Sequence, residues 1–127
     1  MPTMNHSEQY LNWARDVLET EAKGLHEVAA SLNEDFVRAA DAVLACTGRI
    51  VVMGIGKSGH ISRKVAATLA STGTAAFFVH PAEAAHGDLG MIVDGDLVIA
   101  ISNSGESDEI AAIIPALKRK NITLVCM

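Results

Sequence analysis

The sequence predicts an α/β fold: a parallel, doubly wound sheet with flanking helices. Three observations carry that expectation. Short apolar, β-branched runs alternate with stretches whose apolar residues recur every three or four positions. Two of those runs end on small, polar loops that open the next helical stretch. Aromatic residues make up only 4% of the chain, so the interior must be built from Ala, Val, Ile and Leu, as where helices cover a parallel sheet.

The elements follow in order. Over about residues 7–32 the apolar positions are Leu11, Ala14, Val17, Leu18, Ala22, Leu25, Val28, Ala29 and Leu32, one helical stripe with Ser7 as its N-cap. Asn33 caps a second helix with Phe36, Val37, Ala40, Val43 and Leu44 on its inner face, and Thr47-Gly48 ends it. Ile50-Val51-Val52-Met53 then reads as a strand buried on both faces. A helix over about residues 58–71 turns Val65, Ala66, Leu69 and Ala70 inward. Residues 75–79 form a second strand and residues 97–101 a third, and the polar stretch between them holds no more than a short helix. A last helix runs over about residues 107–119, before a fourth strand at Thr123-Leu124-Val125-Cys126. The chain stops on that strand, so the expectation is a fragment, or an end that a partner covers. The sheet expected is of the flavodoxin-like type.

A length of 127 residues predicts one domain, a helical lead-in over residues 1–46 followed by βα units over residues 49–127. The net charge of −5 argues against nucleic acid or an anionic membrane surface as partner, while leaving room for a small anionic ligand at a local site. No run of about 18 apolar residues is present, and no basic-then-apolar leader is read at the N-terminus. Cys46 and Cys126 lie in apolar runs and are expected as buried free thiols, which favours a reducing, cytoplasmic setting.

Two loops carry the chemistry. In open α/β sheets ligands bind at the carboxyl ends of the strands. Gly54-Ile55-Gly56-Lys57-Ser58-Gly59 follows the first strand directly and opens a helix. It fits the G-x-G-x-x-G dinucleotide pattern, but the second strand ends Phe78-Val79-His80, with no acid to hold a ribose hydroxyl nearer than Glu83. It is not a Walker A loop, because Val51 stands where glycine is required. Its physical logic suits any phosphate: glycines admit the backbone, helix N-terminal N–H groups face outward, and Lys57 adds a mobile positive charge.

Ser102-Asn103-Ser104-Gly105-Glu106-Ser107 follows the third strand and also opens a helix. Hydroxyls and unsatisfied amides together would cradle a phosphate monoester. One serine alone would be read as a helix cap; three around a glycine at a strand's carboxyl end are read as a ligand site.

These two loops, with Phe78-Val79-His80-Pro81 and Glu83-Ala84-Ala85-His86-Gly87-Asp88-Leu89-Gly90, resemble the sugar isomerase (SIS) domain superfamily, and within it the D-arabinose-5-phosphate isomerase family. The match is dense from Arg49 to Ser107 and looser outside it. The resemblance implies an SIS domain over residues 1–127 that interconverts D-ribulose 5-phosphate and D-arabinose 5-phosphate in Gram-negative outer-membrane sugar synthesis. No cofactor is implied, and members of the family tend to form homo-oligomers, dimers or tetramers. Lys57 and Glu109 match catalytic positions; Gly73, Thr74, His80 and His86 are carried over as substrate-binding, as is the helix around residues 112–121, and Gly56, Ser58, Ser102, Ser104 and Ser107 join them as substrate-binding on the loop chemistry above. His80 also matches a position where a metal binds as an inhibitor. The resembled enzymes continue past this chain, with a further strand and helices, a catalytic histidine and often regulatory modules. A non-catalytic sugar-phosphate sensor on the same domain is the second reading.

The residue chemistry agrees with the resemblance. Aldose–ketose isomerisation moves a proton between C1 and C2, so it needs a base near a carbonyl and a group to stabilise the oxyanion. Glu109 is placed for the first task, and Lys57 for the second or for the phosphate. Glu106, Asp108 and Glu109 also complement a helix dipole, which needs no catalysis.

Overall fold

The computed structural model describes residues 5–127. The leader-free N-terminus read above involves residues 1–4, which lie outside that range. The order of elements is α1 (His6–Ser31), α2 (Glu34–Ala45), β1 (Ile50–Met53), α3 (Lys57–Ser71), β2 (Ala76–Phe78), α4 (Pro81–Ala85), a 3₁₀ turn at Asp88–Met91, β3 (Leu97–Ala100), α5 (Asp108–Lys118) and β4 (Thr123–Cys126). The four strands form one sheet in the order β2-β1-β3-β4, and every pairing is parallel. The predicted α/β class and parallel sheet are what the chain adopts.

The chain divides into two compact units, Met1–Val37 and Arg38–Met127, with the boundary inside α2. The first is essentially α1, which turns no residue inward: Leu18 is 66% and Leu25 72% exposed. Its cap is Asn5, whose side chain accepts from the Ser7 N–H, so the predicted Ser7 cap is corrected by two residues.

In the second unit, β1 and β3 are buried along their whole length. Side chains alternate between the two faces of a strand, and each face has its own helical cover. Val51, Met53, Val98 and Ala100 join Ile110, Ile113 and Leu117 of α5. Ile50, Val52, Leu97 and Ile99 join Ala66, with Val65 and Leu69 of α3 and Val43 of α2 packed against them. This is why the first and third strands read as unbroken apolar runs. β4 is an edge strand and only half covered.

Three sequence-based expectations change. Leu44 is 84% exposed, because α2 lays Ala42 and Val43 on the sheet instead, and Phe36 and Val37 are exposed too. Ala70 is exposed, while Gly59 and Ser62 of α3 are buried, since that helix approaches the sheet through small residues at its start. Cys126 is exposed on the edge strand and Cys46 is half-buried; both are free thiols.

At the amino-terminal end of the sheet, the carboxylate of Asp96 is buried and ties two segments together. Its Oδ1 accepts from the Arg49 N–H at 2.8 Å and its Oδ2 from the Val93 N–H at 3.0 Å, with the Arg49 guanidinium 3.5 Å away. Each buried oxygen has a partner, as a desolvated carboxylate requires.

The packing yields a paired test. Leu97→Ala is expected to lower the unfolding free energy by about 2–5 kcal/mol in urea titration. Leu44→Ala is expected to change it by no more than about 0.5 kcal/mol. The opposite order would place Leu44 in the core.

Candidate functional site

Because β1 and β3 are neighbours in the sheet but not in sequence, the connections leaving them diverge. A crevice opens between their carboxyl ends. The structure has a cleft of about 340 Å³ there, lined by Ile55 and Ser58 after β1 and by Ser102, Asn103, Ser104 and Ser107 after β3, with Glu109 of α5 at its wall. The two loops singled out from the sequence meet in one place.

The glycine loop owes its shape to three different demands. Gly56, the N-cap of α3, has φ 60° and ψ −128°, a conformation open to glycine and strained for any other residue. Gly54 passes so close to the first turn of α3 that a Cβ would lie 2.8 Å from the Ser58 backbone. A Cβ on Gly59 would lie 2.8 Å from the Gly54 carbonyl oxygen. The loop therefore packs the start of α3 against the end of β1 and leaves the helix without a side-chain cap. N–H groups in such a first turn have no intrahelical partner and favour an anion. Ser58 lines the cleft, and Lys57, one residue earlier in the chain, is exposed.

The serine loop is organised by its own hydroxyls. Ser102 Oγ accepts from the Gly105 N–H at 3.0 Å, and Ser104 Oγ accepts from the Glu106 N–H at 3.1 Å. Ser107 is the N-cap of α5: its Oγ accepts from the Ile110 N–H, and its hydroxyl donates to Glu109 Oε2, both at 3.4 Å. The expectation of unsatisfied amides is corrected here for Gly105, Glu106 and Ile110. A hydroxyl that accepts from an amide keeps its proton, so Ser102 and Ser104, which both line the cleft, can still donate.

The other carried-over residues are not part of this cleft. Gly73 and Thr74 follow the far end of α3, next to the start of β2, at the opposite rim of the sheet. The later half of α5, which holds residues 112–118, runs the same way. His80 caps α4, its Nδ1 accepting from the Ala82 N–H at 3.1 Å, and His86 closes that helix as its C-cap. Gly56 shapes its loop without lining the cleft, and Lys57, the exposed first residue of α3, does not line it either. No three His, Cys, Asp or Glu side chains converge on a metal geometry among the described residues, so His80 belongs to no such group. Among the same residues, no helix is long and apolar enough to cross a membrane.

Sequence reasoning did not single out Asn103, Ile55, Ile101 or Ile110, which also line the cleft. Asn103 stood inside the serine motif; the three isoleucines carry no signal apart from their place near the ends of β1 and β3.

A family model for the SIS domain matches residues 43–127. The chain belongs to the SIS domain family. Among curated relatives, arabinose 5-phosphate isomerase KdsD of Salmonella typhi is 61% identical over 113 residues, which is 89% of this chain and 34% of that protein. The Pseudomonas aeruginosa KdsD is 48% identical over 124 residues, 98% of this chain and 38% of its own. The chain thus spans about a third of the length of the curated relatives it matches. Among solved structures, the c3406 protein of E. coli CFT073, in complex with arabinose 5-phosphate, superposes with a TM-score of 0.90 at 45% identity, covering 97% of this chain and 65% of that one. The SIS match begins in α2 and takes in both loops of the cleft, so the site belongs to the SIS domain.

The glycine contacts make a direct test. Gly54→Ala and Gly56→Ala are each expected to lower the thermal midpoint by about 4 °C or more, as the loop strains or shifts. Gly24→Ala, in an open part of α1 where nothing lies within 4 Å of an added Cβ, is expected not to lower it. Midpoints unchanged in both loop variants would overturn the packing described for α3.

Proposed function

We propose that this SIS domain is the phosphosugar-binding and isomerising portion of an arabinose 5-phosphate isomerase, acting on D-ribulose 5-phosphate and D-arabinose 5-phosphate. The observation that carries the proposal is the cleft at the β1–β3 junction, where serine hydroxyls and a helix start face an exposed carboxylate, Glu109. Relatives named for this reaction, at 48–61% identity, support it.

In the proposed arrangement, Ser102, Ser104 and Ser58 donate to the phosphate oxygens, and the first turn of α3 supplies main-chain N–H groups. Glu109 takes a proton from C1 of the ketose as the C2 carbonyl oxygen gains charge. The resulting enediol regains a proton at C2, while the C1 hydroxyl gives up its own to leave the aldehyde. Carbon oxidation at C1 is balanced by reduction at C2, so the reaction is redox-neutral within the substrate and asks for no cofactor. Lys57, on a flexible stem, is assigned to the developing oxyanion. Ser107 holds Glu109 through its hydroxyl and at the same time anchors α5. His86 is assigned to the substrate; His80 has only Nε2 left to offer a substrate or a metal, because Nδ1 is engaged.

Gly73 and Thr74 belong to this reading only through assembly. They lie at the rim of the sheet away from the cleft, so contact with substrate requires a neighbouring copy's site. The exposed apolar stripe of α1 supports the same homo-oligomer, since an uncovered stripe of this length favours association. The working protein is assigned to the cytoplasm, with neither nucleic acid nor membrane as partner.

The test is conversion of D-ribulose 5-phosphate by the chain. Lys57→Ala and Glu109→Gln are each expected to reduce kcat by about a hundred-fold or more. Full activity in both variants would remove these roles. Arabinose 5-phosphate is expected to raise the thermal midpoint, and Ser102→Ala with Ser104→Ala to abolish that rise. A retained rise without any conversion would favour the sensor reading. Light scattering is expected to report a dimer or tetramer, and Leu18→Glu with Leu25→Glu to shift it toward monomer.

A further inference from the structure

We infer that His80 is a positioning residue for His86: with its imidazole held as the Nε2–H tautomer, it caps α4 and fixes the turn that presents His86. The inference rests on the functional reading above for the part His86 plays; the cap itself stands on geometry.

After β2 the chain still follows the sheet at Val79, whose N–H donates to the Val52 carbonyl at 3.0 Å. His80 is extended, and Pro81 begins α4. A helix of five residues has almost no stability of its own, because nearly every backbone group in it is an end group. It needs anchors. Pro81 and Ala84 are buried, and α4 packs on α5, whose first turn holds Glu109. The remaining anchor is polar. Proline has no N–H, so Ala82 carries the first amide that needs a partner, and His80 Nδ1 takes it at 3.1 Å.

A ring nitrogen that accepts from an amide carries no proton, so the neutral ring bears its proton on Nε2. The ring is also held from the sheet side. It meets the Phe78 ring edge-on, with centroids 6.5 Å apart and planes at 77°, and the Arg63 guanidinium covers Phe78 at 4.0 Å. At the other end of α4, His86 is the C-cap, its N–H donating to the Glu83 carbonyl at 3.0 Å. Freeing the N-cap therefore loosens the one-turn element that ends on His86, without removing a group from the serine cleft.

Asparagine separates the two nitrogens of His80. Its Oδ1 occupies nearly the place of Nδ1 and is a strong N-cap acceptor, while nothing replaces Nε2. In the ¹⁵N–¹H imidazole spectrum of the chain, His80 is expected with a protonated Nε2 and an unprotonated, accepting Nδ1. His80→Ala is expected to move the His86 imidazole resonances and speed Ala82 amide exchange about five- to ten-fold, and His80→Asn to restore both. In the isomerase assay, His80→Ala is expected to lower kcat about five- to ten-fold with KM little changed, and His80→Asn to recover most of it. A protonated Nδ1, unmoved His86 resonances in His80→Ala, or equal loss of kcat in the Ala and Asn variants would each overturn the inference. Absence of turnover in the unsubstituted chain would remove the isomerase reading, and the spectra would still decide the cap.

Discussion

Everything the domain can do depends on β1 and β3 lying side by side. They are paired in register from Ile50 with Leu97 to Met53 with Ala100, and both are buried on two faces. A parallel pair cannot be joined by a tight turn, so the chain must leave each strand at the same end and return through a helix. Each strand's exit is therefore also the start of a helix, and the two exits open on one crevice. Two helix starts therefore point their positive dipole ends at the same space, a geometry that favours an anion.

The two loops meet that demand by different means. After β1 the closeness of strand and helix leaves no room for a Cβ at Gly54 or Gly59, and Gly56 takes a backbone conformation closed to other residues. After β3 there is more room, and the loop is held by serine oxygens accepting from Gly105, Glu106 and Ile110. One loop is fixed by what its residues lack, the other by what their side chains accept. In the second arrangement one residue serves twice, because Ser107 supports both the start of α5 and the Glu109 carboxylate.

The rest of the chain contrasts with this tight centre. α1 exposes large apolar side chains along its length, β4 leaves one edge of the sheet open, and the matched part of the chain covers only 34–38% of these curated relatives. The carried-over residues divide between two rims of one sheet, and the proposed homo-oligomer would reunite them by sharing sites between copies. α4, the short turn between β2 and β3, carries one histidine at each end and is anchored by the first of them.

The order and type of the elements were legible in the sequence because most rest on a local pattern: β-branched runs for β1, β3 and β4, apolar residues three or four apart for α1, α2 and α3, and a cap residue at Asn33; the cap at Ser107 was passed over for a ligand role. The cleft was legible too, in that Ser58, Ser102, Ser104, Ser107 and Glu109 flank strand ends where ligands bind. Relations between segments distant in sequence emerge only once the chain has folded. Periodicity marks an apolar stripe but not how far around the helix the sheet reaches, so Leu44 and Ala70 read as core and are exposed, while Gly59 and Ser62 are buried. Motifs list chemistry-bearing residues but not the rim they stand on, so Gly73 and Thr74 are separated from the serines by the length of the sheet. A histidine looks alike in sequence whether it meets a ligand or an amide; the Ala82 N–H at its Nδ1 is visible only once the chain has turned after β2. Local sequence determines local backbone preference, whereas burial and proximity are set by which strands pair.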